Sequence, residues 1–258
     1  MRECDLLLFV ATQTERDLLR AAAVERGAAF DDISGEAGEP LPGESYWLGT
    51  IGAERVIAVK TRMGAIGDGG SAALGLKYVS MTRATSIICL GMAFGISPTL
   101  QNYGDVLVST SVFPYDDREV ISDGESWRYE YGKRAKIYRA NPTTIKMLEA
   151  HREHVRGFNV LPGCLLSGNA VVRSRAYRDN LVRWSSQVAP SVVGGEMEGT
   201  GFLALGPRKD PKWTIVKGIC DFASEEQVEE AGKYRERACR NAATFVLDAL
   251  AAWNPGAV

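Results

Sequence analysis

The chain has 258 residues, 45% of them hydrophobic, enough to bury a full core and better suited to one large α/β domain over residues 1–258 than to two small ones. With 30 Lys and Arg against 32 Asp and Glu, the net charge of -2 leaves no basic stripe, which argues against nucleic-acid binding and favours a small-molecule partner. Cys4, Cys89, Cys164, Cys220 and Cys239 are odd in number, scattered and without a C-x-x-C, a pattern of reduced thiols rather than of a disulfide scaffold.

In chain order, strand patterns fall at 6–10, 56–60, 86–90, 105–109, 192–197 and 213–219, the last ones nearly all apolar and therefore buried on both faces. Helical patterns fall at 15–26, 70–82, 143–154, 177–185, 198–205 and 226–253. This alternation predicts a mixed or parallel central sheet covered by helices. Residues 31–43, rich in Gly, Glu, Asp and Pro, read as a loop. Residues 114–133 form a second polar segment carrying Tyr115, Trp127, Tyr129 and Tyr131, too long for a plain turn. The sequence passes from Met1-Arg2-Glu3-Cys4-Asp5 straight into a strand pattern, and no apolar run approaches the roughly 20 residues that span a bilayer. A cytoplasmic protein without membrane contact is the expectation.

Chemistry concentrates in Gly194-Gly195-Glu196-Met197-Glu198-Gly199 and in the apolar run that ends at Asp221. Carboxylates in apolar surroundings must be paired, hydrogen-bonded or shifted in pKa, which nominates them for proton transfer or for gripping a polar ligand. Glu196 reads equally as a structural ion pair, with Lys217 or an Arg. Glu15 stands just after the strand at 6–10, where it would also favour a helix N-terminus. Ligands of open α/β sheets bind beyond the carboxyl ends of strands, where Glu15, Glu198 and Asp221 would all emerge.

Other motifs are weaker. The glycine-rich run 64–70 sits between a strand and a helix as an anion-binding loop would, yet lacks G-K-[ST] and reads equally as a plain turn. His151 and His154 share a helix with Glu149, Arg152 and Glu153, the pattern of a solvated face. With only 2 His in the chain, Ser-His-Asp hydrolysis is disfavoured. Neither a metal nor a cofactor is expected.

Taken in order, 12–19, Cys89-Leu90-Gly91-Met92-Ala93-Phe94-Gly95-Ile96, Gly104-Asp105-Val106-Leu107-Val108-Ser109, Leu166-Ser167-Gly168, Glu196-Met197-Glu198-Gly199 and Lys217-Gly218-Ile219-Cys220-Asp221 resemble the nucleoside phosphorylase superfamily over nearly the whole chain. The Glu-Met-Glu element resembles its methylthioadenosine/S-adenosylhomocysteine nucleosidase branch. The wording around 91–96, 194–199 and 216–221 is also similar to the nucleosidase-like effector domains of bacterial and fungal defence proteins.

The resemblance implies a three-layer α/β/α fold and an enzyme that releases free base from a purine nucleoside or nucleotide. It implies that Asp221 protonates N7 of the leaving purine, that Glu198 holds the ribose 2′- and 3′-hydroxyls, and that Glu15 orients or deprotonates the attacking water. Met197 would pack on the ribose, with Met92, Ala93, Phe94 and Glu196 nearby, while the backbone at Val171 and Val172 would face the purine. Val171 stands where the family often places an aromatic ring, so stacking falls to Phe222 or Tyr177. Cys220 replaces the usual serine beside the acid. Toward the 5′ end the resemblance directs Thr12, Lys60, Arg62, the loop from Gly64, Tyr115 and Arg118, groups that suit phosphate. A homodimer or higher homo-oligomer is implied, with 114–131 as interface or cover. A methylthioadenosine/S-adenosylhomocysteine nucleosidase, a purine nucleoside phosphorylase and an inactive nucleoside-binding module are the alternatives.

Overall fold

The computed structural model describes residues 2–35, 43–131, 136–189, 191–206, 210 and 212–254. Part of the 31–43 loop and the end of the 114–133 segment lie outside them.

In chain order the elements are β1 (Leu6–Val10), α1 (Gln13–Glu25), β2 (Asp31–Asp32), β3 (Glu44–Ile51), β4 (Glu54–Lys60), α2 (Ser71–Thr82) and β5 (Ser86–Gly95). There follow β6 (Val106–Pro114), β7 (Glu119–Asp123), β8 (Ser126–Glu130), β9 (Tyr138–Arg139), α3 (Pro142–Arg152) and β10 (Val160–Ser167). The chain closes with α4 (Arg175–Ser185), β11 (Val192–Glu196), α5 (Gly199–Phe202), β12 (Trp213–Asp221) and α6 (Gln227–Ala252).

The main sheet runs β11-β10-β6-β12-β5-β1-β4-β3-β2, with β9 on β6. It is mixed: β1 pairs in parallel with β4 and β5, and β12 in parallel with β5, whereas β12 meets β6 antiparallel. Alternation along β1 shows the layering. Leu6, Leu8 and Val10 join a core with Leu19 of α1, Met147 of α3 and Phe245 of α6. Leu7 and Phe9 pack oppositely with Leu74 and Tyr78 of α2 and Phe202 of α5. Period-two side chains thus bury both faces of one strand, giving the expected three layers.

The structure departs from the sequence reading at several elements. The 86–90 strand continues to Gly95, where Phe94 and Gly95 pair antiparallel with Gly195 and Gly194 and join β5 to β11. That approach requires glycine, since a β-carbon on Gly194 would lie 2.4 Å from Phe94 O. β10 is a full strand although Pro162 and Gly163 weaken its pattern, and its register on β6 shifts between Gly163 and Cys164. β3 likewise carries a register shift, between Trp47 and Gly49. The helix read at 198–205 is only the four-residue α5, in a stretch broken by Gly199, Gly201 and Gly206. Within 114–133, β7 and β8 form a separate hairpin.

Candidate active site

At the carboxyl ends of β1, β5, β11 and β12 lies a cavity of about 260 Å³. Glu15, Glu198 and Asp221 line it together with Met92, Ala93, Phe94, Val171, Val172, Glu196 and Met197. Each of the four acidic side chains belongs to a residue no more than 5% exposed.

Glu15 is placed by the start of α1. Thr12 caps that helix, and Glu15 at the third helical position closes a capping box with it. Glu15 Oε2 accepts from the backbone N–H of Ala11 at 2.7 Å and of Thr12 at 2.8 Å, while Oε1 accepts from Met92 N at 2.9 Å. Three fixed donors from two strand ends thus orient one carboxylate.

Glu198 is held from both sides. Gly64 N donates to its Oε1 at 2.9 Å, and Lys217 Nζ lies 2.8 Å from its Oε2 and 3.9 Å from Glu15 Oε1. The ammonium is fully buried on β12. Burial opposes its charge, but Cys89 and the carboxylates of Glu198, Glu15 and Glu196 outweigh that and raise the Lys217 pKa well above its usual value. Burial likewise drives the Cys89 thiol far up.

Glu196 turns back on the following backbone, accepting from Glu198 N at 2.8 Å and from Gly199 N at 2.9 Å. Burial, then the neighbouring Glu198, push its carboxyl up to about 7 against the pull of Lys217. Ligand atoms of Cys89, Glu196 and Glu198 fall within 4.8 Å of one another. Because Lys217 already supplies the cation at Glu198, this group fits an internal ion pair better than a metal.

Asp221 ends β12. Its Oδ1 accepts from Ala223 N at 2.8 Å, and Oδ2 receives the Cys220 thiol at 3.1 Å and Gln227 Nε2 at 3.4 Å. The thiol thus takes the place that the resemblance gives to serine. Ala223, whose N–H returns to the acid, adopts a left-handed φ of 50°. Burial raises the Asp221 pKa more than these hydrogen bonds lower it, so its proton is retained to higher pH than on a free carboxyl.

A phosphorylase superfamily model matches residues 5–251 of the sequence. The chain belongs to the phosphorylase superfamily. Among curated relatives, a 5'-methylthioadenosine/S-adenosylhomocysteine nucleosidase of Anoxybacillus flavithermus is 23% identical over 78% of this chain and 83% of its own length. A death domain-containing ATP nucleosidase of Amphimedon queenslandica is 26% identical over 67% of this chain, and the match spans 35% of that longer protein. In fold, the chain is similar to an S-adenosylhomocysteine nucleosidase from Streptococcus pyogenes, with a TM-score of 0.76 at 19% identity over 98% of this chain and 99% of the other. It is also similar to futalosine hydrolase of Helicobacter pylori, with a TM-score of 0.74 at 15% identity over 95% and 96% of the two chains.

Within this superfamily member, several residues expected at the site stand elsewhere. The Arg62 side chain is 80% exposed and pairs with Asp68 at 3.4 Å, so it solvates the loop instead of entering the cavity. Arg118 lies over the Tyr129 ring at 3.6 Å and donates to the Tyr177 hydroxyl, tying the hairpin to α4. Lys60 pairs with Glu44, and the buried Tyr115 donates to Ala170 O. Phe222 packs edge-on to Tyr103 and lines a second cavity, while Phe94, among the described residues, supplies the aromatic ring of the candidate cavity. Gly64 serves the site through its N–H on Glu198, and Ala65 N is consumed by Asn169 Oδ1, so the glycine-rich loop supports the carboxylate.

Sequence reading missed Arg173, Gln227 and Arg235, which also line the cavity. Arg173 lies beyond β10, a strand the pattern concealed. Gln227 and Arg235 sit on one face of α6, eight positions apart, a helical spacing that carries no motif.

Proposed function

We propose that this protein hydrolyses the N-glycosidic bond of an adenine nucleoside or nucleotide and releases the free base. The observation that carries the reading is the convergence of a proton-retaining Asp221 with two backbone-anchored carboxylates, Glu15 and Glu198, on one cavity. Bond cleavage builds positive charge on the sugar and negative charge on the base, so a donor at one end and acceptors at the other act most strongly in the transition state. Asp221 gives its proton to N7 as the bond to the sugar breaks. Glu198 accepts from the ribose hydroxyls, its geometry fixed by Lys217 and Gly64. Glu15 orients a water and receives its proton as oxygen bonds to the anomeric carbon. Met197 and Phe94 supply apolar surface, and the backbone at Val171 and Val172 faces the purine.

A second reading of the substrate's 5′ end is favoured by Arg173 and Arg235 in the cavity lining beside Thr12, the cap of α1. Two arginines lining one cavity offer charged donors that suit a phosphorylated 5′ end. The partial relative named an ATP nucleosidase agrees with that choice. Incubation with ATP, AMP, adenosine and methylthioadenosine, with and without inorganic phosphate, tests both readings. Adenine and free pentose without phosphate are expected. Dependence on phosphate with ribose 1-phosphate as product makes the protein a phosphorylase, and tight binding without release makes it a binding module.

The proposed partner is a second copy of this chain. Val120 is 66% and Trp127 62% exposed on the β7–β8 hairpin, while Met63 at 56% and Val171 at 48% border the cavity. Sedimentation showing an active monomer at micromolar concentration would exclude it.

A further inference from the structure

We infer that Gln227 reads the 6-substituent of the purine and selects a 6-amino group, an inference that rests on the proposed seating of the base against Asp221. Gln227 opens α6 and lines the catalytic cavity. Its Nε2 donates to Asp221 Oδ2, and its Oε1 is buried without a hydrogen-bond partner among the described residues. A buried amide oxygen left unpaired costs stability unless a donor reaches it from the cavity.

The amide is oriented by the acid. Oδ2 of Asp221 receives both the Cys220 thiol and Gln227 Nε2, whereas Oδ1 accepts one donor, the Ala223 N–H, and keeps a position for the proton destined for N7. Turning the amide over would set Oε1 against Oδ2, acceptor against acceptor. Gln227 therefore presents an acceptor beside the group that protonates the base.

On the corresponding edge of a purine, N7 and the 6-substituent are neighbours, and the substituent is a donor in adenine but an acceptor in 6-oxopurines. A base that offers N7 to Asp221 brings its 6-substituent toward the amide bonded to Asp221. A 6-amino group donates to Oε1. A 6-oxo group leaves Oε1 unpaired and adds oxygen-oxygen repulsion, a difference that separates substrates by roughly tenfold to a hundredfold or more.

The test compares kcat/KM for adenosine and inosine in the wild type, Gln227→Met and Gln227→Glu, with calorimetric binding of adenine and hypoxanthine alongside. Met keeps length and apolar packing but removes the acceptor, whereas Glu keeps an acceptor. The expected result is an adenosine preference that falls about tenfold or more in Gln227→Met, mainly through loss on adenosine, and persists in Gln227→Glu even where absolute rates drop. A preference unchanged within about threefold in Gln227→Met overturns the inference. If the wild type cleaves neither purine nucleosides nor purine nucleotides, the proposed activity fails and base binding decides this point separately. Tighter binding of adenine than hypoxanthine, lost in Gln227→Met, upholds it, and equal binding by the wild type overturns it.

Discussion

Gly91 and Glu15 approach so closely that a β-carbon on Gly91 would lie 1.8 Å from Glu15 Oε1. Gly91 also holds φ at 142°, a conformation that side chains rarely adopt. Gly91→Ala is therefore expected to displace Glu15 from the N–H of Met92 and to lower kcat by about 10²-fold or more. Steady-state kinetics, with circular dichroism to verify folding, checks this; a variant with wild-type turnover would remove Glu15 from the chemistry.

Asp221→Asn keeps the shape of the acid but is a far poorer proton donor. Turnover is expected to fall by at least about 10²-fold while ligand affinity stays within a few-fold. Because burial raises the Asp221 pKa, wild-type kcat should decline as pH rises through that value, a limb absent from the residual activity of the Asn variant. Single-turnover rates across pH beside calorimetric binding measure both effects.

Glu196 makes a separate prediction about stability. Its carboxyl is raised from 4.5 to about 7 by burial and by Glu198, so the folded state binds the proton more tightly than the unfolded chain. The resulting contribution is fully present below about pH 4.5 and disappears as pH rises to about 7. Glu196→Gln, which retains an acceptor for the N–H groups of Glu198 and Gly199, should flatten this fall, on the order of 3 kcal/mol, in denaturant titrations. Parallel stability curves for the two proteins over that range would refute it.

The arginines give a matched comparison. Arg173→Ala and Arg235→Ala are each expected to lower kcat/KM for ATP or AMP by about tenfold while sparing adenosine, since a charged hydrogen bond contributes about 1.5 to 3 kcal/mol. Arg62→Ala and Arg118→Ala should leave that ratio alone, because both side chains are engaged away from the cavity. A methylthioadenosine preference of tenfold or more, unaffected by any of the four changes, would restore an apolar 5′ pocket.

What was legible in the sequence depended on how local its cause is. The apolar run of β12 announces burial on both faces, and the helix pattern at 15–26 marks α1, which the Thr12 cap starts two residues earlier, at Gln13. Asp221, Glu198 and Glu15 could be named because Asp221 ends β12, Glu198 lies just past β11 and Glu15 stands in the first turn of α1. The tail of β5 and most of β10 stayed hidden, since Gly91, Gly95, Pro162 and Gly163 weaken strand propensity and only tertiary pairing overrides them. The arginines were misassigned for a related reason. Arg62 and Arg118 lie near the right motifs, but Asp68 in one case and Tyr129 with Tyr177 in the other capture them, a choice made by partners within the same loop or distant in sequence.

The antiparallel pairing of Phe94 and Gly95 with Gly195 and Gly194 joins two strands that both carry groups of the cavity. Each is also bound into the main sheet on its other side, β5 by β12 and β11 by β10. The cavity wall therefore cannot fray on its own, because separating these strands breaks the hydrogen-bond ladder of the sheet. Amide protons along this seam should exchange with solvent only as fast as the whole molecule opens, while those of the exposed β7–β8 hairpin exchange through small local excursions.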